Sequence, residues 1–275
     1  MPRFSRVAPL TSLAATVLSL MAIATLASPA LVAQNRVATA SGELLITPLA
    51  HASVQIEMSG RVVQVDPWSA ADLDRARPAD LVLVTDADAG GHHLDNAAIA
   101  KVRKHGAPIV MPASGRAKVA DGVVLNNGDT REFANLQVEA IAAYDLTPGE
   151  PFHAKGVANG YVVSTGGTRI YIAGVTECVP EVRALRHITV MFVPMNLPNG
   201  RMTPAAAAEC VRTIAPAVVY PYHYDQGYIR RRSDGVNLAS PADILRTLDV
   251  FADALQAGNS LNHIEVRRGA WYPAR

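Results

Sequence analysis

The sequence has few cysteines, little net charge and only one long apolar run, and each shortage narrows the choice of protein class. Two cysteines, Cys178 and Cys210, occur in 275 residues. Neither has neighbours typical of a thiolate zinc site or a nucleophile. We expect two free buried thiols. A disulfide is the alternative, because sequence does not show whether the two Cα atoms lie close enough.

The charges nearly balance, with 25 basic and 24 acidic side chains and a net charge of +1. The basic residues are scattered, and their one cluster, residues 230–232, is short enough to be a solvated loop. We therefore expect no nucleic-acid partner. The length favours one large domain over two.

The apolar run extends from about Leu10 to Leu26 and follows two arginines. This pattern is typical of a secretory signal peptide. The run is short and rich in small residues for a membrane span, although an uncleaved anchor is the alternative. We predict a cleaved signal peptide over residues 1–33, a single mature domain over residues 34–275, no stable membrane span after cleavage, and a periplasmic or secreted protein.

In each half of the mature chain, strand patterns come first and an alternation of strands and helices follows. Residues 43–49, 52–58 and 61–65 have the period of strands, and Gly166-Gly167 marks a hairpin in the second half. Helical spacing follows at 96–104, around 114–119, and at 180–185, 203–213 and 241–255. Two such halves predict an α/β fold, a four-layer αββα sandwich with two sheets face to face. Functional residues of layered folds gather in loops at one sheet edge.

Several of these loops carry a further pattern, in the segments ITPLAHASVQIE (46–57), VQVDPW (63–68), DLVLVTDADAGGHHLD (80–95), FHAKGVANGYV (152–162), YIAGVT (171–176) and VVYPYHY (218–224). With these segments in this order, the chain resembles the metallo-β-lactamase fold superfamily. It looks most like the branch of ascorbate-6-phosphate lactonase-like and N-acyl-phosphatidylethanolamine phospholipase-like hydrolases. The resemblance implies the αββα fold and a metal-dependent hydrolase.

The metal-binding motif of that family, Thr-His-x-His-x-Asp-His after a buried strand, is altered here. The resemblance places Asp86 and Asp88 at the first two His positions and Gly90 at or near the Asp position. His92 or His93 stands at the last His position, because the loop is about two residues longer. These departures predict that the chain does not form the standard two-metal zinc site of the family.

Three other ligand positions of the family fall elsewhere in the chain. The later His corresponds to Tyr144, the metal-bridging Asp corresponds to Val175, and the final His is kept as His223. We predict at most one divalent ion, zinc, manganese or iron, held by Asp86, Asp88, His92 or His93, and His223. The alternative is that the aspartates are loop residues bonded to backbone N–H groups. Because neighbouring side chains of an extended segment point opposite ways, we expect one of the two adjacent histidines to face the metal.

The candidate catalytic residues are Asp88, Tyr144 and His51. His51 ends the first strand pattern, where it would orient a ligand or carry a proton, or serve only the structure. Tyr144 would donate to an oxyanion or act as an acid in place of the lost His, or lie buried with a bonded hydroxyl.

Two functions follow from these predictions. The first is a hydrolase that acts on an ester, lactone, amide or phosphodiester of an unknown small or lipid-like substrate. The alternative is a catalytically inactive scaffold that serves as a binding protein, because Val175 and Tyr144 replace ligands on two separate loops.

Overall fold

The architecture is seen in a computed structural model, which describes Met1 and residues 35–87, 91–149, 151–225, 241–257 and 263–269. The predicted signal peptide, Asp88 and the basic cluster at 230–232 lie outside the described residues. Within these ranges, no helix combines the length and the apolar character needed to cross a bilayer.

The first sheet contains seven strands from the first half of the chain, and spatial order follows chain order. Its first three strand pairs are antiparallel and its last three are parallel. The strands are β1 (Asn35–Thr39), β2 (Gly42–Ala50), β3 (Ser53–Met58), β4 (Arg61–Val65), β5 (Leu81–Leu83), β6 (Ile109–Met111) and β7 (Val123–Val124).

The second sheet repeats this plan with seven strands from the second half. Again three antiparallel pairs precede three parallel pairs. Its hairpin turns at Gly166 and Gly167, whose φ angles of 51° and 83° favour glycine. The strands are β8 (Thr130–Phe133), β9 (Leu136–Ala143), β10 (Ala158–Thr165), β11 (Thr168–Ile172), β12 (Val190–Pro194), β13 (Val218–Tyr222) and β14 (Glu265–Val266).

Four helices accompany the sheets in the described part of the chain, namely α1 (Asn96–Val102), α2 (Pro180–Arg183), α3 (Pro204–Ile214) and α4 (Pro241–Gln256). The Asp95 carboxylate caps α1 by accepting from the N–H groups of Ala97 and Ala98. The Thr203 hydroxyl caps α3, which opens on a proline as its sequence predicts.

Strand β5 shows how the layers stack. Its Leu81 and Leu83 lie in the main core with residues of both sheets, whereas Val82 packs in a second apolar cluster with Ile99 of α1. Alternate side chains of a strand point to opposite faces, so one face of β5 meets the other sheet and one meets a helix. The predicted αββα sandwich is confirmed.

Three local expectations differ from the structure. The edge strands β1 and β8 were not predicted, because each is short and three of the four β8 residues are exposed polar side chains without an apolar alternation. The helix expected near residues 114–119 is a 3₁₀ turn at Ala113–Gly115.

The expectation of two free thiols was wrong. Cys178 and Cys210 form a disulfide with a Cα–Cα distance of 5.6 Å. The bridge joins the segment before α2 to helix α3, and both cysteines are buried in the main core. Packing of these two helices on the same sheet brings the thiols together, and no local pattern reports such a long-range contact.

Candidate metal centre

One edge of the sandwich collects the polar residues that follow several strands. Strands β2 and β4 run in the same direction because each pairs antiparallel with β3, and β5 is parallel to β4. Their carboxyl ends therefore meet, and they deliver His51, Asp66 and Thr85 to one edge. His223 follows β13 of the other sheet, and its backbone N–H donates to the His51 carbonyl at 3.1 Å.

Three of these residues have a left-handed backbone conformation, which is costly for any residue other than glycine. The φ angles of His51, Asp66 and His223 are 57°, 42° and 50°. Such left-handed residues cost about 1–3 kcal/mol each and persist where the surrounding structure imposes them, often at functional sites. Their concentration at this edge marks it as the candidate site.

Four histidines form a cluster there, namely His51, His92, His93 and His223. Each offers one ring nitrogen, and these four nitrogens all lie within 4.8 Å of one another. Nε2 of His93 lies 3.1 Å from Nε2 of His223. Three of the rings are buried and that of His92 is half-buried. We call this group the four-histidine cluster.

Buried carboxylates hold two of the rings. Nδ1 of His51 lies 2.6 Å from Oδ1 of Asp225, and Nδ1 of His93 lies 2.7 Å from Oδ2 of Asp66. The hydroxyl of Thr85 donates to Asp66 at 2.6 Å, and its backbone N–H donates at 2.7 Å. A ring that donates Nδ1–H to a carboxylate presents the lone pair of Nε2, and such pairs accompany metal-binding histidines.

Burial in the cluster favours the neutral form of two rings, those of His51 and His223. Burial lowers the pKa of His51 well below its ordinary value, and repulsion from His92 and His93 adds to the effect. Burial, then repulsion from the other three rings, does the same for His223. Burial raises the pKa of the Asp225 carboxyl to about 7. Neutral imidazole is the form that binds metals.

The geometry fits one metal ion. Two nitrogens bound at about 2.1 Å to a tetrahedral ion lie about 3.4 Å apart, close to the 3.1 Å between His93 and His223. Nε2 of His51 is buried and has no hydrogen-bond partner among the described residues, although such an atom ordinarily has one. A cation would satisfy it. A tetrahedral ion with a water would take three of the four histidines, whereas a five- or six-coordinate ion such as manganese or iron would take all four.

The predicted bridging position for a second metal is apolar. Val175 is buried in a small cluster with Ala143 and Ala158. A valine offers no ligand atom, so the side chain at this position supplies no charge between two cations. This packing supports the prediction of at most one ion.

The structure brings together only part of the predicted ligand set. His92, His93 and His223 meet, and His51, which was predicted as a catalytic or orienting residue, joins them as a fourth ligand candidate. Asp86 is not a member of the cluster: its Oδ1 accepts from the N–H of Ala87, and its Oδ2 lies 3.3 Å from Nε2 of His153. The predicted roles of Asp88 lie outside the described residues.

The expectation that one of the adjacent histidines faces the metal differs from the structure. Both His92 and His93 belong to the cluster, with ring centroids 4.6 Å apart. They lie in a bend after Gly91, whose φ is 69°, and not in an extended segment. The alternation of an extended strand therefore does not apply to this pair.

Tyr144 has its hydroxyl engaged away from the histidines. The hydroxyl donates to Oε2 of Glu181 at 3.0 Å, and the ammonium of Lys155 lies over the ring at 5.2 Å. Burial, then the bond to Glu181, raises the pKa of Tyr144. None of its contacts in the described ranges joins it to the four-histidine cluster, so its oxyanion role stays a prediction.

The sequence prediction did not include Asp225 and Trp68, both at this edge, among the site residues. Asp225 is two positions after His223, and only the folded chain shows that it pairs with His51. Trp68 lies with its ring centroid 6.0 Å from that of His51 and 6.4 Å from that of His92. The Asp-Pro-Trp sequence after β4 predicts a loop at this edge, but it does not predict that the Trp68 ring lies beside the histidines.

Comparison with known proteins places the chain in a family. The family model described as "Beta-lactamase superfamily domain" matches residues 45–223. A UPF0173 metal-dependent hydrolase of Methanopyrus kandleri is 30% identical over 65% of this chain and 83% of its own length.

Two solved structures add to the match. A crystal structure from Parabacteroides distasonis, named as a metal-dependent hydrolase, is 33% identical, with a TM-score of 0.70 over 87% of this chain and 99% of its own. The metallo hydrolase Igni18 of Ignicoccus hospitalis, at 20% identity and a TM-score of 0.59 over 82% of this chain and 95% of its own, shares the fold. The branch within the superfamily stays a prediction. The chain belongs to the beta-lactamase superfamily, among its metal-dependent hydrolases.

Proposed function

We propose that the chain is a secreted hydrolase that works with one divalent metal held by the four-histidine cluster. The observation that carries this proposal is four converging imidazoles, two of them held from behind by buried carboxylates. When bound, the metal supplies Lewis acidity, lowering the pKa of a water ligand and polarising the group to be hydrolysed. The substrate class would be an ester, lactone, amide or phosphodiester.

The residues around the metal would have separate tasks. Asp66 and Asp225 hold the rings of His93 and His51 in the tautomer that binds metal, and Thr85 fixes Asp66. His92, the half-buried member, marks the side of the cluster open to solvent.

Secretion is the second part of the proposal. The sequence pattern of a signal peptide supports it, and so does the Cys178–Cys210 disulfide, because structural disulfides persist mainly in oxidising compartments. Expression of the full chain in a bacterial host, followed by fractionation and N-terminal sequencing, tests this part. A mature protein that begins near Gln34 in the periplasm is expected, and a full-length cytoplasmic protein would contradict it.

Elemental analysis tests the metal centre. Residues 34–275 are purified without chelators or a metal-binding tag, beside His223→Ala and the matched control His105→Ala, whose residue is exposed. We expect about one equivalent of zinc, manganese or iron in the parent and control, lost in His223→Ala. No bound metal after incubation with excess ions would refute the hydrolase and leave the inactive scaffold. Two equivalents would refute the single-ion site.

A further inference from the structure

A large aromatic ring borders the four-histidine cluster. Trp68 is half-buried, and its ring lies within about 6 Å of two of the histidine rings, centroid to centroid. The loop that carries it is held in place, because the Ser69 N–H donates to Asp95 and the Ala71 N–H donates to the Trp68 carbonyl. A partly exposed tryptophan beside reactive groups offers a substrate a rigid apolar surface.

A second apolar surface lies on the loop between β9 and β10, residues 144–157. Among the described residues, large exposed apolar side chains are few, and three of them, Leu146, Phe152 and Val157, are on this loop. Leu146 and Phe152 are 50% and 52% exposed. Exposed apolar patches mark binding surfaces, and this loop carries three of the five large exposed apolar side chains of the described residues.

This loop is tied to the metal-binding loop. Asp145 and His153 close it, since the Asp145 N–H donates to the His153 carbonyl at 3.0 Å and the His153 N–H donates to Asp145 Oδ2 at 2.9 Å. The His153 ring then lies 3.3 Å from the carboxylate of Asp86, which follows Thr85 in the chain. Thr85 Oγ1 is 3.2 Å from Nδ1 of His93. Phe152 is thus held next to a chain of contacts that ends at the cluster.

We propose that the substrate carries an apolar group beside the hydrolysed bond, that Trp68 contacts this group, and that Leu146 and Phe152 form the outer rim of its subsite. The inference rests on the proposed function, which supplies the reaction, and it narrows the substrate to compounds that carry an alkyl or aryl group next to the hydrolysed bond. Trp68 is then a specificity-determining residue.

Hydroxamates test the subsite on the metal-loaded protein, since their head group chelates metals and their chain is variable. Isothermal titration compares octanohydroxamate with acetohydroxamate. Each buried methylene contributes about fourfold in affinity, so three buried methylenes predict about a 60-fold preference for the longer chain.

Trp68→Ala is expected to lower this preference about tenfold. Phe152→Ser is expected to lower it less, and Trp68→Phe is expected to change it little. Val250→Ser, at an exposed apolar residue of α4, is the matched control and leaves it unchanged.

Fluorescence of Trp68 gives a readout that needs no metal. The other tryptophan, Trp271, lies outside the described residues and is replaced in Trp271→Phe. Octanoate, and not acetate, is expected to shift the emission of Trp68 in the metal-free protein. If the protein shows this shift but takes up no metal when excess ions are offered, the proposed hydrolase is refuted and the apolar subsite is kept. Equal hydroxamate affinities, a preference that survives in Trp68→Ala, or no shift with octanoate would overturn the inference.

Discussion

Reduction of the Cys178–Cys210 disulfide should remove a large part of the stability of the fold. The two cysteines are 32 residues apart in sequence. Without the bridge, the unfolded chain between them gains conformations that the closed loop forbids. The folded state changes less, because both sulfur atoms stay in the same buried place between α2 and α3.

The magnitude follows from the loop length. For a 32-residue loop, the chain-entropy relation gives a loss of about 12 cal/mol/K in the unfolded state, which is about 3.7 kcal/mol at 25 °C. Because native proteins have free energies of unfolding of about 5–15 kcal/mol, the reduced protein would lose a quarter or more of its stability.

Urea unfolding of the oxidised and reduced mature protein measures the difference. Thiol titration of the unfolded protein verifies each state, with no free thiol before reduction and two after it. We expect a lower urea midpoint for the reduced form. The slope of the free energy of unfolding against urea concentration should differ only by the extra surface that the unlinked chain exposes when it unfolds. A fully reduced protein within about 1 kcal/mol of the oxidised one would refute the reasoning, and so would two free thiols in protein from an oxidising compartment.

Three further predictions concern the cluster and its scaffold. Asp225→Asn should weaken metal binding about 10- to 100-fold, measured by competition with a chromophoric chelator, because His51 loses the acceptor that orients it. Gly174→Ala should cost about 1–3 kcal/mol more than Gly167→Ala in urea unfolding. Both glycines have positive φ, but only at Gly174 would a Cβ lie 2.9 Å from a backbone oxygen. Asp80→Asn should lower stability by about 1 kcal/mol at pH 7 and flatten its fall below about pH 4.

The sign of the last effect follows from the contacts of Asp80. Burial opposes its ionisation, but hydrogen bonds from Lys104 and from the Val62 N–H outweigh burial, so the folded pKa is lowered. Stability from this carboxylate is therefore present above its unfolded pKa and is lost as pH falls through the folded one. Unchanged acid unfolding in Asp80→Asn would contradict this. Equal costs at the two glycines would contradict the packing argument, and unaltered metal affinity in Asp225→Asn would contradict the role of its carboxylate.

Much of the fold was determined by local sequence pattern. Strand alternation, the Gly166-Gly167 turn and the proline that opens α3 act over a few residues, and the structure confirms the elements they predict. The repeated order of the strands could be predicted from these elements, and the superfamily from the resemblance of the six segments. The edge strands β1 and β8 escaped because a solvated edge needs no apolar alternation.

The metal centre was decided by tertiary structure. The sequence determined that His92, His93 and His223 lie at the functional edge, because each lies in a segment that follows a strand of the sandwich. Only the folded chain placed His51 among them and paired it with Asp225, because two strands of different sheets end side by side. Ring directions depend on backbone bends and on contacts between residues far apart in the chain, and no local period reports either.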